Sequence, residues 1–140
     1  MRINTQAIKG YFQENMPIVV IPYKYIVLPL LVLLFLFIGA SFIRPPGNLA
    51  PSPDSTISSN PVFRFEISKN FMYRNYSVKV KTTRGKHKIR VRETGNNITV
   101  TPISPLLSND NIDLEIIISK GFSFLTLWSK TYNYSYSVTR

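Results

Sequence analysis

Residues 111–119 read NIDLEIIIS, and apolar side chains occupy every second position from Ile112 to Ile118. Successive side chains of a β-strand point to opposite faces, so this alternation predicts a strand with one buried and one wet face. Other segments show the same period or a short apolar run. They are Phe63–Ile67, Tyr76–Val80, His87–Val91, Ile98–Val100, Phe122–Trp128 and Tyr132–Val138.

Turn-forming residues separate these segments, which supports reading them as distinct strands. The turns are predicted at Ser68–Asn70, Thr83–Gly85, Thr94–Asn97, Ser108–Asn111 and Lys120–Gly121. About seven short strands within residues 61–140 are typical of an all-β antiparallel sandwich. The chain has no cysteine, so its hydrophobic core must stabilise this fold without disulfides.

A sequence likeness refines the fold prediction. Residues 101–119 read TPISPLLSNDNIDLEIIIS, with Thr101, Pro102, Pro105 and Leu106 in register with a recurring pattern. Residues 50–140 thus resemble bacterial Ig-like domains of the type found in S-layer and other surface proteins. PSPD at residues 51–54, VFRFEIS at 62–68 and YSYSVT at 134–139 are similar to the opening and closing strands of that family.

The resemblance implies an Ig-like β-sandwich, with two departures from the family pattern. Ile112 stands where the family often has tyrosine, so a tyrosine-corner hydrogen bond is not expected there. Asn109 replaces a usual turn glycine, and asparagine tolerates the left-handed backbone that such a turn needs.

Residues 25–43 form an uncharged run of nineteen residues, mostly Leu, Ile, Val and Phe. As a helix it would be roughly 28 Å long, close to the hydrocarbon thickness of a bilayer. We therefore predict a single transmembrane helix that anchors the chain in a lipid bilayer. The anchor residues that we single out are Tyr25, Leu30, Leu34, Phe37 and Phe42.

Flanking cations predict the orientation of this helix. Arg2, Lys9 and Lys24 precede it, whereas only Arg44 follows before Arg64. The positive-inside rule then places the N-terminus in the cytoplasm and the C-terminal domain outside the cell membrane. A cleaved signal peptide is the alternative, but the apolar run is longer than a usual signal sequence, and cleavage after Ala40 would put bulky Ile38 where a small residue is needed.

These predictions divide the chain into four parts. Residues 1–24 form a cytoplasmic or interfacial segment, and residues 25–43 form the helix. Residues 44–60 are rich in proline and serine and predict an extended stalk. Residues 61–140 form the Ig-like domain.

A cluster of cations is the strongest candidate binding feature. Seven lie within residues 79–92, and the last five share even numbering, which predicts one face of a strand. They are Lys79, Lys81, Arg84, Lys86, Lys88, Arg90 and Arg92. Such a face would bind an anionic envelope polymer, lipid headgroups or an acidic protein. The alternative is a solvated face whose like charges keep an edge strand from pairing.

Nucleic acid is not an expected partner, because most aromatic side chains fall on the inward parity of their strands instead of beside the cations. No motif for a nucleophile, a phosphate loop or a catalytic metal is present, and His87 is the only histidine. Glu66 and Glu93 could meet across strands, but nothing places them in a cleft. We expect no enzymatic activity, metal or cofactor.

The sequence thus predicts a single-pass membrane protein that carries an extracytoplasmic Ig-like domain as a binding or structural module of the bacterial envelope. The alternative is an accessory subunit of an envelope secretion, pilus or division complex, in which the helix and residues 1–24 determine the partner.

Overall fold

The computed structural model describes residues 21–39, 42–122 and 124–139. The predicted N-terminal segment, residues 1–24, therefore lies almost entirely outside the described residues. The chain forms two compact units, which adjoin in the sequence between Leu34 and Phe35.

The first described element is helix α1, Lys24–Gly39, which contains Pro29 near its start. Pro29 is the sixth residue of the helix, so it removes the N–H that would otherwise donate to the Tyr25 carbonyl. The large apolar side chains from Tyr25 to Ile38 are 37% to 83% exposed. None of the helices in the described part of the chain is both long enough and apolar enough to count as a membrane span.

Nine strands follow, and they form two sheets. In chain order they are β1 Gly47–Ala50, β2 Thr56–Ile57, β3 Phe63–Glu66, β4 Tyr73–Thr82, β5 Gly85–His87, β6 Ile89–Thr94, β7 Asn97–Pro102, β8 Asn111–Phe122 and β9 Leu125–Val138. The first sheet has the order β1-β3-β7-β6, and the second has the order β2-β9-β8-β4-β5. All pairings are antiparallel except β2 with β9, which is parallel.

The strand order confirms the predicted all-β sandwich and matches an immunoglobulin arrangement. In immunoglobulin domains strands A, B, E and D form one sheet and strands C, F and G form the other. Here β1, β3, β7 and β6 take the places of A, B, E and D, and β4, β8 and β9 take those of C, F and G. The loops that follow β3, β6 and β8 consequently lie at one end of the sandwich.

The core lies between the two sheets and uses the alternating residues. The first sheet contributes Phe63, Phe65, Ile98 and Val100, each no more than 2% exposed, and the second contributes Val80 and the alternating residues of β8 from Ile112 to Ile118. Asn109 has a φ of 59°, so asparagine does supply the left-handed turn before β8.

The predicted stalk is wrong, because residues 44–60 belong to the sandwich. Strand β1 pairs with β3, and β2 pairs with β9. The Tyr136 hydroxyl donates to the carbonyl of Pro51 at 3.1 Å, and Leu106 N–H donates to the carbonyl of Ser59 at 2.7 Å. Prolines interrupt the strands here without preventing the segment from covering the core.

The C-terminal end of the predicted membrane helix also needs correction. Helix α1 ends at Gly39, and Ile43 lies in the sandwich core with 2% of its surface exposed. Its carbonyl accepts a hydrogen bond from the Tyr132 hydroxyl at 2.8 Å. The domain therefore begins before Arg44.

Two predicted strands have different bounds in the structure. Residues 87–91 are divided at Lys88 between β5 and β6, which belong to different sheets. The two final predicted strands form one long strand, β9, because the reversal of the chain lies between Phe122 and Leu125. Lys120–Gly121 is a register shift instead of a turn.

The buried tyrosines predict a loss of stability at alkaline pH. Burial, with smaller effects of Tyr134 and Asp54, raises the pKa of Tyr136 from 10.0 to about 12. The folded protein holds this proton more tightly than the unfolded chain does. The contribution of the Tyr136 hydroxyl to the free energy of unfolding is therefore fully present below pH 10 and is lost as the pH rises toward 12. For Tyr136 the loss amounts to about 2–3 kcal/mol.

Urea unfolding at a series of pH values from neutral to about 12 measures this loss. Tyr136→Phe is expected to be about 1 kcal/mol less stable at neutral pH, because the hydrogen bond to Pro51 is lost. Its stability should then fall less steeply than that of the wild type above pH 10. Equal slopes for the two proteins would contradict the assignment of the alkaline loss to Tyr136.

Candidate functional site

The seven predicted binding cations do not share one strand face. Lys79 and Lys81 lie on β4, Lys86 lies on β5, and Arg90 and Arg92 lie on β6 of the other sheet. Arg84 is in the turn between β4 and β5, and Lys88 connects β5 to β6. The last five cations still have even residue numbers, but they do not share a strand, because the chain passes from the second sheet to the first at Lys88.

Glu115 pairs with two of these cations on the outer face of the second sheet. Glu115 of β8 is directly opposite Lys79 of β4, and Lys79 Nζ is 3.3 Å from Glu115 Oε1. Lys81 Nζ binds the other carboxylate oxygen. The hydrogen bond from Lys81 lowers the pKa of Glu115 against the opposing effect of burial. Lys79 and Lys81 are therefore structural cations in this fold and are less free for an external anion.

The other five cations form a surface that we name the cationic edge: Arg84, Lys86, Lys88, Arg90 and Arg92. All five are exposed, and they follow β5 and β6, the outermost strands of the two sheets on this side. Within the described residues, every ion pair involves Lys69, Lys79 or Lys81 and none involves the edge. The edge thus presents five positive charges without a paired carboxylate.

Arg90 and Arg92 extend this charge onto the outer face of the first sheet. They are opposite Thr101 and Thr99 of β7, and Thr99 is in turn opposite Arg64 of β3. Directly opposed residues of adjacent strands have neighbouring side chains. Arg64 and Arg92 therefore flank Thr99 in one row across three strands.

Asp110 holds the turn that presents Arg84. Its Oδ1 accepts hydrogen bonds from Thr83 Oγ1 at 2.6 Å and from Thr83 N–H at 3.3 Å. The N–H of Asn111 donates to the same oxygen at 2.9 Å. These hydrogen bonds, chiefly that from the Thr83 side chain, lower the pKa of Asp110, and Arg84 adds to the effect. The turn is thereby connected to the start of β8 while the Arg84 side chain remains exposed.

Glu93 joins the two sheets near the other end of the sandwich. The Tyr76 hydroxyl donates to Glu93 Oε2 at 3.0 Å, and Lys69 Nζ binds Oε1. Burial and this hydrogen bond raise the pKa of Tyr76 to about 12, and the hydrogen bonds from Lys69 and Tyr76 lower the pKa of Glu93. Glu66 instead accepts from Asn48 Nδ2 at 3.0 Å, so the two glutamates have separate partners.

His87 lies at the start of the connection between the sheets, half-buried as its position in the strand predicts. Its Nε2 is 2.9 Å from the carbonyl oxygen of Ser104 and 3.1 Å from Ser104 Oγ. Among the residues that the structure describes, no three His, Asp or Glu side chains are grouped as metal ligands.

The predicted anchor residues Tyr25, Leu30, Leu34 and Phe37 are all in helix α1, whereas Phe42 follows it. Phe42 is 62% exposed, and its carbonyl accepts a hydrogen bond from Lys120 Nζ at 3.0 Å. Burial, together with the charge of Arg44, lowers the pKa of Lys120.

Sequence reasoning missed a group of exposed aromatic residues at the end of the sandwich. Phe71 and Phe124 are 81% and 82% exposed, and Phe122 is 55% exposed. Phe71 follows a predicted turn, and Phe122 and Phe124 follow Gly121, so a run of phenylalanine beside a turn was the available signal. Most aromatic side chains within the strands point inward, but Phe71 and Phe124 lie in turns and Phe122 is the last residue of β8, so the alternation along a strand does not direct them into the core.

No protein-family model and no curated protein matches the chain. Solved structures do. One is CopC from Methylosinus trichosporium OB3b, with a TM-score of 0.49 and 11% identity over 67% of this chain and 91% of that chain. The titin M3 domain has a TM-score of 0.40 and 10% identity over 69% of this chain and 100% of that chain.

The titin domains z1z2, solved in complex with telethonin, have a TM-score of 0.38 and 9% identity. They are matched over 69% of this chain and 48% of that chain. The assignment of the fold rests on the strand order of the chain itself.

Proposed function

We propose that the protein is a membrane-anchored, extracytoplasmic Ig-like module of the bacterial envelope that binds an anionic partner through its cationic edge. The observation that carries the proposal is the uncharged apolar run, whose large side chains from Tyr25 to Ile38 are exposed. A soluble protein seldom exposes a continuous apolar surface of this size, and a lipid bilayer is the solvent that would cover it.

The cationic edge supports the binding part of the proposal. The charge of residues 44–140 is +8, and the five edge cations have no carboxylate within ion-pair distance in the described part of the chain. By contrast, Lys69, Lys79 and Lys81 are each paired with a glutamate. An anionic polymer or an acidic protein surface would supply the missing negative charges.

The position of Arg84, at one end of the edge, favours such a partner over the headgroups of the protein's own membrane. Arg84 follows the far end of β4, a strand of ten residues whose other end is at Tyr73. That strand spans about 30 Å. Phe42 lies near the Tyr73 end, because its carbonyl accepts a hydrogen bond from Lys120, the residue of β8 that pairs with Tyr73.

Charge reversal on the edge tests this function. The triple variant Lys86→Glu, Lys88→Glu and Arg90→Glu should bind long-chain polyphosphate, used as an anionic probe, about 100-fold more weakly at low salt. The wild-type affinity should also fall steeply as salt increases. Binding releases counterions from the polyphosphate, and the entropy gained by this release is smaller when the salt concentration is high. Binding is measured by the retention of full-length protein, in detergent, on immobilised polyphosphate.

The matched control is the triple variant Lys24→Glu, Arg44→Glu and Lys130→Glu, which changes the net charge equally at exposed sites outside the edge and outside the row of Arg64 and Arg92. It should retain most of the binding, with a loss of about fivefold or less from the long-range field. Equal losses in both variants, or wild-type retention that does not change with salt, would refute the edge as the binding surface.

A further inference from the structure

A second surface lies at the end of the sandwich where the chain enters from helix α1. We name it the aromatic end: Phe42, Phe71, Phe122, Phe124 and Leu125. These side chains are between 47% and 82% exposed. Among the residues that the structure describes beyond the helix, every exposed phenylalanine is in this group, whereas Phe63 and Phe65 are in the core.

Backbone and side-chain contacts bring the members of the aromatic end together. Phe122 and Leu125 are paired across the β8–β9 hairpin. Gly121 N–H donates to the carbonyl of Met72 at 2.8 Å, which joins this hairpin to the loop that carries Phe71. Lys120 connects the same hairpin to the carbonyl of Phe42.

The loop before β4 is shaped so that Phe71 faces outward. Tyr73 N–H donates to the carbonyl of Asn70 at 3.0 Å, and Met72 adopts a φ of 61° in this tight turn. Met72 packs against the core, while its neighbour Phe71 stays 81% exposed. A positive φ at a methionine is unfavourable, so the turn maintains this outward position at an energetic cost.

The aromatic end continues into the last residues of helix α1. Trp128 Nε1 donates to the carbonyl of Leu36 at 2.6 Å, and the Trp128 and Phe35 rings meet edge to face at 5.2 Å. An apolar cleft of about 370 Å³ lies here, lined by Phe35, Phe42, Phe71, Met72 and Trp128 together with Gly39, Asn70 and Lys120. The apolar surface of residues 35–39 is therefore continuous with that of the sandwich.

Two cations lie beside this surface. Arg74 donates a hydrogen bond to Thr126 Oγ1, next to Leu125, and Arg44 lies close enough to Lys120 for its charge to lower the pKa of that lysine. Neither has an ion pair within the described residues. Phenylalanine beside arginine and lysine is the composition of surfaces that lie in the headgroup region of a bilayer, with the rings among the upper acyl chains and the cations at the phosphates.

We infer that the aromatic end inserts into the lipid interface of the membrane that holds the helix, so that the sandwich rests on an anionic bilayer surface in a fixed orientation. This inference rests on the proposed function, because it requires the helix to be in the membrane. Arg84 and Lys86 of the cationic edge, at the other end of β4, then face away from the lipid.

The absence of cysteine permits a direct test. Full-length protein with Asn70→Cys, labelled with a polarity-sensitive fluorophore, is reconstituted into vesicles of phosphatidylcholine and phosphatidylglycerol. Lipids with a nitroxide near the headgroup should quench this label several-fold more than a label at Ser108→Cys, in the exposed loop before β8 at the opposite end. Vesicles of phosphatidylcholine alone should give weaker quenching at position 70.

A second variant separates insertion from simple proximity. Adding Phe71→Ser and Phe124→Ser to the Asn70→Cys protein should reduce the quenching to the level of the Ser108 label. Because both phenylalanines are exposed, the thermal unfolding of this variant should match that of its parent. Undiminished quenching in the variant would overturn the role of the aromatic side chains.

Flotation of the vesicles distinguishes the two levels of the proposal. If the protein floats with the vesicles but position 70 is quenched no more than position 108, the interfacial orientation is refuted while the anchor is retained. If the protein does not float with the vesicles at all, the proposed membrane attachment itself fails.

Discussion

Replacing Leu30 and Leu34 together with arginine is expected to release the full-length protein from membranes. Both residues lie in the middle of helix α1, where leucine is 65% and 52% exposed. An arginine at the centre of a membrane helix costs about 2.5–3.5 kcal/mol, and the favourable contribution of each leucine is lost as well. The double variant should therefore lose roughly 6–8 kcal/mol of insertion free energy.

Carbonate extraction of the membrane fraction measures this release, since peripheral proteins are washed off and inserted helices are retained. Leu30→Ala with Leu34→Ala is the control, because it shortens the side chains without adding charge, and it should remain in the membrane. The wild type in the soluble fraction would contradict the anchor. Retention of the double arginine variant after carbonate would also contradict an anchor in this helix, whereas a variant that sediments with membranes in buffer but is released by carbonate would favour attachment through an envelope protein complex.

The same preparation tests the orientation. Trypsin added to intact spheroplasts should digest the sandwich, which carries most of the lysine and arginine residues, and should spare Arg2 and Lys9. Protection of the C-terminal domain from external protease would reverse the orientation that the flanking cations predict.

The period-two pattern predicts the sandwich because burial between two sheets imposes that period. Ile112, Leu114, Ile116 and Ile118 are each no more than 3% exposed, and Asn109 takes the left-handed conformation that its turn requires. Local pattern and tertiary packing agree along β8, so sequence reasoning succeeds there.

Residues 44–60 show why the same reasoning fails elsewhere. Strands β1 and β2 have four and two residues, which is too short for a period to be visible. Contacts with distant residues hold them, such as the hydrogen bond from Tyr136 to Pro51. Proline and serine content reports the local backbone preference, and the partners that override it lie on other strands, one of them Tyr136, 85 residues away from Pro51 along the chain.

The candidate site was predicted in composition but not in arrangement. The seven cations lie within residues 79–92 of the sequence, yet Glu115 pairs with two of them because β8 lies beside β4. The chain leaves the second sheet after β5 and enters the first sheet at β6, but the spacing of the cations along the sequence does not change at this point. Neither fact has a local signal, since both depend on how strands far apart in sequence are placed together.

Phe63→Ala is the substitution from which we expect the largest loss of folding stability. Phe63 is 0% exposed, and its ring centroid lies 5.1 Å from that of Tyr136 on the opposite sheet. Removing a buried phenylalanine costs about 3–5 kcal/mol, from lost burial and from the cavity that remains. The lost aromatic contact adds about 0.5–1.5 kcal/mol.

This loss is a large part of the 5–15 kcal/mol that stabilises a typical domain. For a domain of this size it corresponds to a decrease in Tm of roughly 15–30 °C, measured by near-UV circular dichroism of the full-length protein in detergent. Phe65→Ala offers an independent check at the next inward position of β3, where the side chain is 2% exposed. The control is Val62→Ala, because Val62 is 43% exposed just before the strand and should change the Tm by only a few degrees. A Phe63→Ala protein whose Tm is close to that of the wild type would mean that the Phe63 side chain of β3 does not pack between the two sheets. The strand order on which the immunoglobulin assignment depends would then be wrong.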